Sequence, residues 1–218
     1  MPSSRHGLVV FDLDGTLLRG PTVCELLARP LGRLREMESF ETLTTEAEIA
    51  QARVEMARWY NGVPRGQLLE PLRTAHWAPR ARESVARLLA AGVEVAIASI
   101  TWQFAVEWFA HELGLSRFLG TDLSPEGTVQ HVWARDKGTW LRELAAELGI
   151  SCRRTAAIGD SSGDGPLLEA ASLRFFVGAA LPRAPRLRAV AHLPGGDLGE
   201  IVERILRTWA VEVHEGSR

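Results

Sequence analysis

Five short apolar runs, spaced by helical stretches, leave few folds open to this chain. LVVF (8–11), VEVAIAS (93–99), FLGTDL (118–123), TAAIGD (155–160) and LRFFVG (173–178) are short and nearly continuous in apolar character, the pattern of strands buried on both faces. Helical patterns separate them: residues 80–92, closed by Gly92, then 101–113, 138–148 and 164–171, with an amphipathic helix over 196–212 at the end. Strand alternating with helix predicts an α/β fold, a parallel sheet with helices on both faces. In such a sheet crossovers are right-handed and ligands collect at the carboxyl edge of the strands.

One stretch departs from the alternation. ELLARPLGRLREM (25–37), TTEAEIAQARVEMARWY (44–60) and PRGQLLEPLRTA (64–75) are all helix-like, with no strand candidate from about Arg19 to Thr74. We read residues 1–18 and 76–218 as the core and residues 19–75 as a small all-helical cap inserted after the first strand; the alternative is a helical connection packed sideways on the sheet. SPEGT (124–128) reads as the turn of a hairpin hanging from the third strand.

Composition narrows the function classes. A formal charge of -2 over 218 residues gives no field that would draw nucleic acid or an anionic membrane. Cys24 and Cys152 have no paired spacing, the six histidines no ligand spacing, and no run reaches membrane-spanning or signal-peptide form. A reduced, cytoplasmic setting is the expectation. Of the 25 basic residues Lys137 is the only lysine, and ammonium and guanidinium are not interchangeable at a tight site.

The strand ends carry the chemistry. Asp12 and Asp14 follow the first strand, Ser99 ends the second, Asp160 and Asp164 follow the fourth, and Lys137 opens the preceding helix behind Asp136, read as its N-cap. A parallel sheet brings these to one edge. Two carboxylates one residue apart repel and require something positive between them. The set suits a phosphate held by a divalent cation: Asp12 and Asp160 as hard oxygen ligands for Mg2+, Asp12 as nucleophile, Asp14 as general acid and base. The Ser99 hydroxyl and the amides at the start of the following helix, Ile100 among them, suit phosphate oxygens, and Lys137 suits the charge on the transferring group. Asp164 is placed to steady Lys137 or a metal-bound water. Trp102 is read as packing rather than as a pocket wall.

DLDGT (12–16), Ser99 after an apolar strand, Lys137 in ARDKG and GDSSGD (159–164) occur in that order, and with them the chain resembles the haloacid dehalogenase-like superfamily. The resemblance implies a Rossmann-like core, an aspartyl-phosphate on Asp12, acid/base work by Asp14, and Mg2+ bound by Asp12, Asp160 and the Asp14 carbonyl. Asp14 points to phosphoryl rather than halide chemistry. The cap length and AQARVEM resemble phosphoserine phosphatases, which implies substrate binding by Arg53; an ion pair on the helix surface is the competing reading of Arg53. Pro21 stands where those enzymes have a Glu for the substrate amine, Ile100-Thr101 replaces a Gly pair, and Gly163 replaces an Asn.

The expectation is therefore a Mg2+-dependent phosphatase acting on a small phosphomonoester other than phosphoserine. A phosphotransferase or mutase using the same intermediate, phosphoserine phosphatase proper, and a non-catalytic module binding phosphate and Mg2+ remain open at this point. So does the oligomeric state.

Overall fold

The structure is a computed structural model that describes residues 6–124, 126–181 and 190–215, with side chains described as far as residue 210. Seven strands form one sheet in the order β6-β5-β4-β1-β7-β8-β9. They are β1 (Leu8–Phe11), β4 (Glu94–Trp102), β5 (Arg117–Leu123), β6 (Val129–Gln130), β7 (Thr155–Gly159), β8 (Leu173–Phe176) and β9 (Ala191–His192). All pairings are parallel except β5 with β6. The β5–β6 pair is the hairpin expected around SPEGT.

β1 lies at the centre, Phe11 being in register with Ile97 of β4 and Ile158 of β7. Its alternate residues divide between two apolar layers, as the two-residue repeat of a strand requires. Val9 and Phe11 join α5 (Ala81–Ala90), α6 (Gln103–Glu112) and α9 (Leu198–Glu215) on one face. Leu8 and Val10 join α7 (Ala134–Glu147) and α8 (Gly165–Ala170) on the other. The sheet is covered on both sides, which is why its strands read as apolar runs without alternation.

Residues between the first and second core strands form α1 (Val23–Ala28), α2 (Leu34–Phe40), α3 (Glu46–Tyr60) and α4 (Arg65–Leu69), followed by a 3-10 turn, Glu70–Thr74. Thr22 with Glu25 and Thr45 with Glu48 make reciprocal capping boxes that start α1 and α3. A short antiparallel ribbon, β2 (Leu18–Arg19) with β3 (His76–Trp77), joins the two ends of this stretch. This corrects the reading of Arg19 as part of a strand-free stretch; a two-residue ladder has no periodicity to show in sequence. Tyr60 of α3 meets Trp102 and Phe104 edge-on, at 5.5 and 5.9 Å between ring centroids. Trp102 is buried packing, as expected.

Two boundaries moved. β4 continues through Ser99 to Trp102, with an irregularity in its pairing to β5 between Ala98 and Trp102. α6 therefore starts at Gln103, not at residue 101. α7 starts at Ala134, so Asp136 lies in its first turn instead of capping it: its carboxylate accepts the Trp133 amide at 2.8 Å.

Candidate active site

Asp12 is set by β1. Its amide donates to the Ile158 carbonyl at 2.9 Å, which ties the strand end to β7 just before the chain opens into Leu13–Thr16. From α7, Lys137 Nζ donates to Asp12 Oδ1 and to Asp164 Oδ1, both at 2.7 Å. All three side chains are buried, Lys137 at 4 %, Asp12 at 7 % and Asp164 at 0 % exposure, so their charges persist only by pairing.

Asp164 also organises Asp160. Its Oδ2 accepts the amides of Asp160 and Ser161, each at 3.0 Å, and the Ser161 hydroxyl at 3.2 Å. Both of its oxygens are thus engaged by the protein. Its side chain caps the turn Ser162–Asp164 and makes no cap bond to α8. Asp160 Oδ1 accepts the Thr16 hydroxyl at 3.2 Å. Gly15 at φ +80 passes so close beneath that a Cβ there would stand 2.1 Å from Asp160 Oδ2. Only glycine combines that backbone angle with that approach.

Carboxylate oxygens of Asp12, Asp160 and Asp164 lie within 4.8 Å of one another. Burial first, then the charge of Asp164, raises the pKa of both Asp12 and Asp160. Burial opposes the Lys137 ammonium, but Asp12 and Asp164 outweigh it and raise its pKa. Three carboxylates around one ammonium leave the cluster short of positive charge. A hard divalent cation answers that deficit, and the oxygen donors fit one.

Asp14 accepts the Val23 amide, the first of α1, at 2.8 Å. Burial pushes its pKa up to about 7, with the Val23 bond only partly opposing the shift. Ser99 is buried, and its Oγ accepts the Thr101 amide at 3.2 Å. Because β4 runs on, the main chain near Ser99 is strand and not the start of a helix. Ile100 is 41 % exposed. Cys24 Sγ lies 3.3 Å from the Thr101 hydroxyl, and burial raises its thiol to about 12, leaving it protonated.

Arg53 is not on a helix surface: it is 5 % exposed. Its Nη2 donates to the Ile100 carbonyl at 2.9 Å and its Nη1 to the Val132 carbonyl at 3.1 Å. The guanidinium carbon stands 4.8 Å from the centre of the Trp133 ring. Thr16, Thr121 and Val132 escaped the sequence reading; Thr16 sits inside DLDGT and could have been found there, whereas Thr121 and Val132 lie in no motif.

The haloacid dehalogenase-like hydrolase family matches residues 9–169. The chain belongs to this family. Within it, the chain is 29 % identical over 198 residues to the phosphoserine phosphatase of Idiomarina loihiensis, covering 85 % of this chain and 86 % of that one. With the phosphoserine phosphatase of Streptococcus thermophilus identity is 27 % over 212 residues, 92 % and 96 % of the two chains. A solved phospho-aspartyl intermediate analogue of phosphoserine phosphatase shares the fold, at TM-score 0.74 and 24 % identity over 91 % of this hydrolase and 98 % of that chain. Among the described residues no helix is long and apolar enough to cross a membrane.

Proposed function

We propose that this hydrolase is a Mg2+-dependent phosphatase that cleaves a small phosphomonoester through an aspartyl-phosphate on Asp12. The observation that carries the reading is the Lys137 bridge. It ties Asp12 Oδ1 to Asp164 through one ammonium and leaves Oδ2 as the oxygen for attack on phosphorus. Asp12 and Asp160 carboxylates with the Asp14 carbonyl would hold the Mg2+. The bound ion supplies the positive charge that lets a carboxylate approach an anionic phosphoryl group.

Asp12 Oδ2 forms a bond to phosphorus while the bond from phosphorus to the leaving oxygen breaks. Asp14, whose pKa of about 7 keeps a large fraction protonated at neutral pH, gives its proton to that oxygen and the alcohol departs. As a carboxylate, Asp14 then takes a proton from water as the water oxygen attacks phosphorus, and the bond to Asp12 breaks to release phosphate. Both halves need a group titrating near working pH. Ser99 and the Ile100 amide take phosphoryl oxygens, and Lys137 offsets the charge that spreads over them.

Residues 19–75 act as the cap over this edge. Val23 on Asp14 and Cys24 beside Thr101 set α1 directly on the ends of β1 and β4, where a substrate's leaving group would lie. Phosphoserine is the second reading for the substrate, favoured by the Idiomarina relative's near-full coverage; Pro21 and Ile100-Thr101 speak against it. A panel of metabolite phosphates with Mg2+, phosphoserine included, decides the substrate. Asp12→Asn tests the chemistry: turnover disappears on every ester while the circular dichroism spectrum is kept. Near-normal rates in Asp12→Asn would end the aspartyl-phosphate reading.

A further inference from the structure

Arg53 closes a ring of hydrogen bonds. Its Nη2 donates to the Ile100 carbonyl at 2.9 Å; the same carbonyl accepts the Thr121 hydroxyl at 2.9 Å. The Thr121 hydroxyl accepts the Val132 amide at 3.2 Å, and the Val132 carbonyl accepts Arg53 Nη1 at 3.1 Å. The ring joins α3, the end of β4, β5 and the segment between β6 and α7. Arg53 and Thr121 are 5 % and 1 % exposed. Burial lowers the Arg53 pKa, and its hydrogen-bond acceptors here are the two carbonyls with His131 Nδ1 at 3.4 Å. A cation held this way directs two of its donors to main-chain carbonyls, and one of these belongs to the residue directly after Ser99.

We propose that Arg53 is a positioning residue: with Thr121 it pins the Ile100 carbonyl, and so fixes the peptide planes of Ser99–Thr101 against which the phosphoryl group binds. The proposal rests on the phosphatase reading above, but differs from a direct contact between Arg53 and a substrate carboxylate. Thr121 reaches the same carbonyl from the neighbouring strand β5, and Arg53 reaches it from α3. Losing either donor leaves the segment free to tilt.

The test uses Arg53→Lys, Thr121→Val and the double variant, with Mg2+ present throughout. Binding of inorganic phosphate is measured by calorimetry, and kcat and KM are measured on phosphoserine and on p-nitrophenyl phosphate, which has no carboxylate. Each single change should weaken phosphate binding by about tenfold, the worth of one hydrogen bond from a charged or buried donor. Binding stoichiometry stays the same, and kcat/KM falls by the same factor on p-nitrophenyl phosphate and on any carboxylate-bearing ester that is turned over. The double variant should lose less than the product of the two, because both act through one carbonyl. Thr121→Ser, which keeps the hydroxyl, should recover most of the loss. Unchanged phosphate binding in Arg53→Lys would overturn the proposal, and a loss confined to phosphoserine would point to direct contact instead. Full phosphate affinity in Thr121→Val would overturn it too. Absence of turnover or phosphate binding in the unaltered enzyme would instead count against the phosphatase reading itself.

Discussion

Lys137 shows how much a single atom settles here. Its Nζ lies 2.7 Å from both Asp12 Oδ1 and Asp164 Oδ1, a spacing that a point charge on a slender stem satisfies inside a packed core. Arginine is what this chain uses at every other basic position, but a planar guanidinium at this depth would push the two carboxylates apart. Lys137→Arg should therefore reduce kcat by at least about a hundredfold, comparable to removing a group that stabilises transition-state charge. Lys137→Met should do the same and also cost stability, about 3 kcal/mol or more, since it leaves buried carboxylates without their partner. Steady-state rates and urea denaturation at pH 7 measure the two effects. Near-normal kcat in Lys137→Arg would show that the site tolerates a guanidinium and that the bridge is not the decisive feature.

At the scale of elements, the site depends on how closely α7 and α8 approach. Gly138, next to Lys137, faces the main chain of α8: a Cβ there would stand 2.3 Å from the Pro166 carbonyl oxygen. Backbone cannot yield as a flexible side chain would. Gly138→Ala should destabilise the protein by about 1–3 kcal/mol through overpacking, and it should lower activity as well because α7 carries Lys137. A thermal melt with parallel kinetics checks this; a variant as stable and active as the parent would mean that the helices part freely.

The same elements show which parts of the molecule could be read beforehand. The five strands were visible because burial on both faces makes each one continuously apolar, and Asp12, Asp160, Asp164 and Lys137 followed once parallel strands put their ends together. β2 with β3 was invisible, being a ladder of two residues per strand. The overrun of β4 past Ser99 leaves no mark in the sequence, because Ile-Thr-Trp suits a strand and a helix start equally well. The Arg53 ring could not be read either. Its acceptors are carbonyls, which every residue has, and its second donor, Thr121, is one polar residue in an apolar strand.

For the whole molecule, the acidic cluster makes folding stability depend on pH and on Mg2+ together. The folded-state pKa of Asp14 is raised to about 7, and Asp12 and Asp160 are raised as well, above the values of an unfolded chain. Below about pH 4 these groups are protonated in both states and contribute no difference. As pH rises further, the unfolded chain releases its protons while the folded protein keeps them, so stability falls until the folded carboxylates ionise too. For Asp14 the window runs from about 4 to about 7, and its full cost, on the order of 4 kcal/mol as an upper bound, applies above it. Lys137 has a raised pKa and stabilises below the ordinary lysine value, so it stays constant across this window. In chelator-treated protein, denaturant stability should thus decline from pH 5 to pH 8. Asp14→Asn, whose amide oxygen can still accept the Val23 N–H, should flatten that decline and be the more stable protein at pH 8. Added Mg2+ should restore stability most at pH 8, where the carboxylates are ionised and free to bind it, and least at pH 5. Melting temperatures at the two pH values, with chelator and with Mg2+, give all four comparisons; a stabilisation by Mg2+ equal at both would mean that the ion binds away from these acids.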